Sequence, residues 1–106
     1  MEITPMTPMI DAMRAAAGEA SAVLSALANP DRLLLLCQLS QGEQAVGELE
    51  ERLDIRQPTL SQQLGVLRNQ SLVHTRRDGK RIFYSIADPR VLTLLTTLYA
   101  LYCPKE

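Results

Sequence analysis

The sequence predicts a mainly helical domain with one β-hairpin, in the order helix–helix–helix–helix–hairpin–helix. Three observations carry that prediction. Apolar residues recur at helical spacing through most of the 106 positions. Asn29-Pro30 and Asp88-Pro89 each join a good N-cap to a proline suited to the first helical position. Asp78-Gly79 separates two short runs that favour strand, and an Asp-Gly connection with positive φ at both residues is a strong hairpin signal.

The elements follow in order. From Met9 to Leu27 one apolar stripe (Met9, Ile10, Met13, Ala16, Ala17, Ala20, Val23, Leu24, Leu27) marks a helix, weakened by Gly18. After Asn29-Pro30 a second helix runs over 31–39 through Leu33-Leu34-Leu35-Leu36-Cys37, and Gln41-Gly42 ends it. A short third helix, 46–53, faces Val46, Leu49 and Leu53 inward. The fourth spans 57–69: with Leu60, Leu64 and Leu67 buried, the opposite side carries Pro58, Gln62, Gly65 and Asn69, small and amide-rich without Glu or Lys. Strands over 72–77 and 80–86 form the hairpin, with His74 on a strand face. A final helix, 91–102, is apolar around most of its circumference, more than so small a chain buries by itself, which implies a partner surface.

Composition narrows the class. Apolar residues make up 46% of the chain, too many for a disordered segment, and the length suits a single domain over 1–106. No run of about 18 apolar residues marks a membrane span, and the N-terminal residues lack the pattern of a secretory signal, so a cytoplasmic protein without membrane contact is expected. In a reducing compartment Cys37 and Cys103 do not read as a permanent structural disulfide. With one histidine and no Cys-x-x-Cys there is little material for a zinc site, and no cofactor is expected. The net charge of −1 conceals an uneven distribution: residues 1–55 carry a net −6, and residues 56–81 a net +5. Phosphate attraction acts over about a Debye length, so a local basic region in an acidic chain suffices for polyanion contact.

The third and fourth helices followed by a basic hairpin outline a winged helix-turn-helix. A recognition helix must approach base edges closely, and there small residues and amides serve better than bulky charge. Gln57, Thr59, Ser61, Gln62, Gln63 and Arg68 are the candidate DNA-contacting residues of the helix. Arg76, Arg77, Lys80 and Arg81 are those of the wing, where they fix register on the backbone without reading sequence.

The stretch IRQPTLSQQLGVLRNQSLVHTRRDGKRIFYSI, with LANPDRLLLLCQL before it, resembles the ArsR/SmtB family of bacterial winged-helix repressors over nearly the whole chain. The resemblance implies a homodimer built from an N-terminal dimerisation helix (1–28) and a C-terminal one (88–103), around a helix-turn-helix (45–70) and a wing (71–86). Its DNA partner would be double-stranded, with an inverted-repeat operator. Two metal sites common in that family have no counterpart: Gln44–Leu49 contains no thiol, and Asp88–Tyr102 contains no histidine and no second acid.

QPTLSQQLGVLR together with the cysteine pair resembles the sulfide- and redox-responsive, BigR/SqrR/YgaV-like branch. That implies a transcriptional repressor whose Cys37 and Cys103 are joined by a disulfide or polysulfide bridge, with persulfide or another sulfane-sulfur species, or another oxidant, as inducer. The residues alone leave Cys37 open to a plainer role, as a small buried hydrophobe after four leucines. Cys103 sits at a helix C-terminus, with Lys105 its only cationic neighbour in sequence, so it reads equally as an incidental thiol near the chain end. Tyr99 and Tyr102 read as interface packing. The alternatives are a repressor answering another ligand, and a small dithiol redox protein; against enzymatic turnover stands the absence of a histidine base beside either thiol.

Overall fold

A computed structural model describes residues 6–104. Residues 1–5 of the N-terminal segment, and Lys105, lie outside them. Helix α1 (Met6–Leu27) is joined at a 94° bend to α2 (Pro30–Leu39). The bend is set by Asn29, whose Oδ1 accepts from the Arg32 amide at 3.0 Å, and by Pro30 at the first helical position. Then come β1 (Gln44–Ala45), α3 (Val46–Leu53), α4 (Thr59–Asn69), β2 (Val73–Asp78), β3 (Arg81–Ile86) and α5 (Pro89–Tyr102). Asp88 caps α5 by accepting from the Arg90 amide at 3.0 Å.

The core lies where α2, α3, α4 and α5 meet the sheet. Leu35 and Leu36 of α2, Leu49 of α3, Leu60, Leu64 and Leu67 of α4, and Val91 of α5 are buried. Fully burying a leucine contributes about 1.5–3 kcal/mol, so this leucine layer dominates what holds the helix-turn-helix in place. The three positions of α4 predicted to face inward are its buried ones, and Gln62 and Asn69 lie on its outer side.

Three features differ from the sequence expectation. The fourth helix begins at Thr59 rather than Gln57, because a residue before proline is disfavoured in the helical region; Gln57 instead accepts from the Ser61 amide at 3.1 Å and the Ser61 hydroxyl at 2.6 Å, capping the helix from outside. The hairpin register pairs Asp78 with Arg81, so the two connecting residues are Gly79 and Lys80, not Asp78 and Gly79. Only Gly79 has positive φ (65°) among them, and this is the pattern of a turn with glycine at its first central position. The two-residue strand β1 has no counterpart in the sequence reading; it pairs with β3 (Gln44 opposite Tyr84, Ala45 opposite Phe83) and makes a three-stranded antiparallel sheet in the order β1-β3-β2.

Helix α4 ends in a Schellman turn. Ser71 takes the left-handed position at φ 62°, its amide donates to the Arg68 carbonyl at 2.9 Å, and the amide of buried Leu72 donates to the Leu67 carbonyl at 3.0 Å. Helix α4 is thereby joined to β2 with no slack.

The shape is extended. The Cα radius of gyration is 16.5 Å and the longest axis 59 Å, whereas about 13 Å is the usual radius for a compact chain of this length. Among the described residues of α1, its C-terminal end (Ala26, Leu27, with Val23 against them) joins the core, and Met9, Ile10, Met13 and Leu24 are exposed. On α5, Tyr99, Leu101 and Tyr102 are 63%, 70% and 79% exposed.

Candidate nucleic-acid interface and thiol pair

Leu60, Leu64 and Leu67 turn the other side of α4 outward, where Ser61, Gln62 and Arg68 stand away from the core. Gly65 sits mid-helix with open space where a Cβ would go, so nothing in the chain's own packing asks for glycine there. A glycine in a helix interior costs about 1 kcal/mol against alanine. Its use keeps that face low. An open groove of about 740 Å³ runs between Glu51 of α3, Ser61, Gly65 and Arg68 of α4, and Lys80 and Arg81 of the wing. The hairpin thus brings its turn cations alongside the outer face of α4.

The wing cations are not equivalent. Alternation along β2 and β3 puts Arg76, Arg81 and Phe83 on one face, opposite the side that carries buried Val73 and Tyr84. The guanidinium carbons of Arg76 and Arg81 lie 4.5 and 4.9 Å from the Phe83 ring centroid, two cation–π contacts on one ring. Arg76 also grips Glu43 with both arms, Nε to Oε2 at 3.0 Å and Nη2 to Oε1 at 2.7 Å. The Arg76 hydrogen bonds beside Glu43 hold its carboxyl below the usual carboxylate range, so the pair is intact at neutral pH. Arg77, Lys80 and Arg68 have no ion pair among the described residues.

The amides of α4 divide as well. Gln57 serves as the outside cap of the helix, and Thr59 is half-buried in its first turn. The Gln63 Oε1 accepts from Arg32 Nη1 at 2.8 Å, which turns this side chain toward α2. Gln62 makes no such commitment to another element among the described residues.

The cysteines, 66 positions apart in sequence, sit on helices that pack together, Cys37 in the second half of α2 and Cys103 at the C-cap of α5. Both are free and exposed, so Cys37 is not the buried hydrophobe its leucine-rich context allowed. Partial burial pushes the Cys37 thiol up, and the nearby charge of Cys103 pushes it further in the same direction. Among the described residues, no three His, Cys, Asp or Glu side chains gather as a metal centre requires.

The profile of the bacterial regulatory protein, arsR family, matches residues 29–75, from the cap of α2 into β2. Over 97 residues the chain is 54% identical to the biofilm growth-associated repressor of Agrobacterium fabrum, covering 92% of this chain and 83% of that one. The chain belongs to the ArsR family. Its fold matches the crystal structure of the transcriptional repressor BigR from Xylella fastidiosa with a TM-score of 0.86 at 45% identity, covering 90% of this chain and 97% of that one. It is also 38% identical to the regulator YgaV of Escherichia coli K12, over 87% of this chain and 94% of that one. This ArsR-family protein is therefore a DNA-binding transcriptional regulator with a winged-helix fold, in the branch of BigR and YgaV.

Sequence reasoning missed two long-range contacts made by candidate site residues, Arg32–Gln63 and Glu43–Arg76. Each joins residues more than thirty positions apart. A signal existed for the first: Arg32 is the one cation between Arg14 and Arg52, set in an otherwise leucine-rich helix.

Proposed function

We propose that this chain is a homodimeric repressor that reads an inverted-repeat operator with α4, anchors itself with the wing, and lets go when Cys37 and Cys103 are joined. The observation that supports the switch is that two free, exposed thiols, distant in sequence, sit on α2 and α5, helices that pack together. The extended shape and the exposed apolar residues of α1 and α5 support the dimer.

The switching step balances with a low-molecular-weight persulfide as oxidant. One cysteine thiolate attacks the outer sulfur of RSSH, forming a cysteine persulfide and releasing RSH. The second thiolate then attacks the inner sulfur of that persulfide and expels hydrosulfide. In sum, two thiols and RSSH give a disulfide, RSH and hydrogen sulfide, and the two electrons pass to the sulfane sulfur. The test is a titration of operator DNA with reduced, persulfide-treated and peroxide-treated protein, alongside intact-mass analysis. Release by persulfide with a Cys37–Cys103 bridge is expected; unchanged affinity of the bridged protein would overturn the reading.

Two further outcomes are expected. Gln62→Ala reduces discrimination between operator and random DNA by about 1–3 kcal/mol, the worth of one bidentate amide–base pair; equal losses on both DNAs would remove Gln62 from base reading. Glu43→Gln frees Arg76, so random-DNA affinity rises and the log–log salt slope steepens by up to about one unit per protomer. A slope that does not move would show that Arg76 stays with the wing and off the phosphates.

A further inference from the structure

We propose that Arg32 is a positioning residue for DNA reading, fixing how α4 is turned relative to the end of α1. The proposal rests on the reading of α4 as the recognition helix.

The Arg32 guanidinium spends its fork on three acceptors from two other elements. Nε donates to the Ala26 carbonyl at 2.7 Å, Nη2 to the Ser25 carbonyl at 3.2 Å, and Nη1 to Gln63 Oε1 at 2.8 Å. Ser25 and Ala26 are in the last turn of α1, where carbonyls run out of helical partners and favour a cation. A planar fork with donors at set angles holds such acceptors at fixed separation, which a lysine ammonium does not do. The backbone of Arg32 is itself held by the Asn29 cap at 3.0 Å. One side chain therefore ties the end of α1, the start of α2 and the middle of α4 into a rigid unit.

This tie has a consequence for the helix face. Adenine recognition by an amide needs its oxygen as acceptor and its nitrogen as donor together. Oε1 keeps a second lone pair, but its bond to Arg32 turns the half-buried Gln63 amide toward α2, so the complete outward-facing amide pair falls to exposed Gln62, one position earlier. The leucine layer sets where α4 lies. Arg32 sets how it is rotated, and a rotation moves the Gln62 amide off a base edge while leaving general phosphate attraction intact.

The experiment uses the full chain, as wild type, Arg32→Met, Arg32→Lys, Gln63→Leu and the Arg32→Met/Gln63→Leu double variant. Each is titrated against a duplex selected by the wild type from random-sequence DNA and against a random duplex of equal length, over a range of salt. Arg32→Met and Gln63→Leu are each expected to lower the selected-to-random affinity ratio about five- to tenfold, the low end for one base pairing. In the Arg32 variants random-DNA affinity and salt slope stay as in the wild type. Arg32→Lys does not rescue, and the double variant falls no further than the worse single one, as for two partners of one hydrogen bond. A random-DNA slope lower by about one unit in the Arg32 variants would overturn the proposal by making Arg32 a phosphate ligand. An unchanged ratio with only a lower melting temperature would overturn it too, reducing Arg32 to a helix cap. Gln63→Leu leaves the end of α1 capped, so a wild-type ratio in that variant overturns the proposal even if the Arg32 variants do not fold. If the wild type selects no sequence, the recognition-helix reading falls, and the proposal with it.

Discussion

Replacing Arg76, Arg77, Lys80 and Arg81 together with alanine is expected to flatten the salt dependence of DNA binding by roughly two to three log–log units per protomer, at about 0.9 for each of Arg77, Lys80 and Arg81, which unlike Arg76 are not paired with a carboxylate among the described residues. These four side chains surround one two-residue turn, and the groove beside α4 is lined by Lys80 and Arg81. Taken singly the substitutions should not be equal. Arg77→Ala and Lys80→Ala remove cations with no ion-pair partner among the described residues. Arg76→Ala also removes the partner of Glu43, leaving that carboxylate to repel phosphate, so its affinity loss should exceed what its slope change implies. All four lie on the exposed hairpin, away from the leucine layer, so a folded protein is expected, and circular dichroism would confirm that. Fluorescence anisotropy across a salt series measures the slope. An unchanged slope in the fourfold variant would sink the wing assignment.

Replacement of either Cys37 or Cys103 by serine is expected to leave the protein on its operator after persulfide treatment, where the wild type loses roughly 5- to 150-fold in affinity, the usual span of coupling between two sites. Intact mass should show the wild type short of two hydrogens, and neither variant so. A Cys37→Ser protein that still lets go would end the two-thiol switch. The pH dependence has a definite sign. A raised pKa lowers the thiolate fraction of Cys37 at neutral pH below that of a free cysteine, which titrates near about 8.5. Bridge closure should accelerate from neutral pH upward and keep accelerating beyond that ordinary value. In Cys103→Ser the second of the two causes is gone, so the Cys37 midpoint falls part of the way back; burial, the larger cause, remains. Ultraviolet thiolate absorbance against pH reads this directly, and an unmoved midpoint would mean that the two thiols do not sense each other.

Much of this architecture is legible along the chain because its signals are local. The buried Leu60, Leu64 and Leu67 follow from 3.6-residue periodicity, and the starts of α2 and α5 follow from a cap and a proline side by side. The failures are just as physical. Periodicity carries the fourth helix back to Gln57, whereas the following proline disfavours helical geometry at that residue. The dipeptide signal sets the hairpin turn one residue early, because Asp-Gly and Gly-Lys both put a glycine in the turn and only the pairing of Asp78 with Arg81 separates them. Strand β1 is two residues long, too short for any alternation to show, and exists because β3 offers it an edge.

The family relationship and the candidate residues of helix, wing and thiol pair were within reach of the sequence, since helix faces, turn residues and motif spacing are properties of neighbours in the chain. Which of those residues is at liberty to act was decided by the tertiary structure alone. Gln62 and Gln63 are adjacent and chemically identical, yet only the second gives its oxygen to Arg32, thirty-one positions away. Arg76 and Arg77 are likewise adjacent, and only the first meets Glu43, thirty-three positions away. A guanidinium or an amide is committed by the acceptor or donor that the folded chain happens to bring within about 3 Å, and no local pattern encodes that distance.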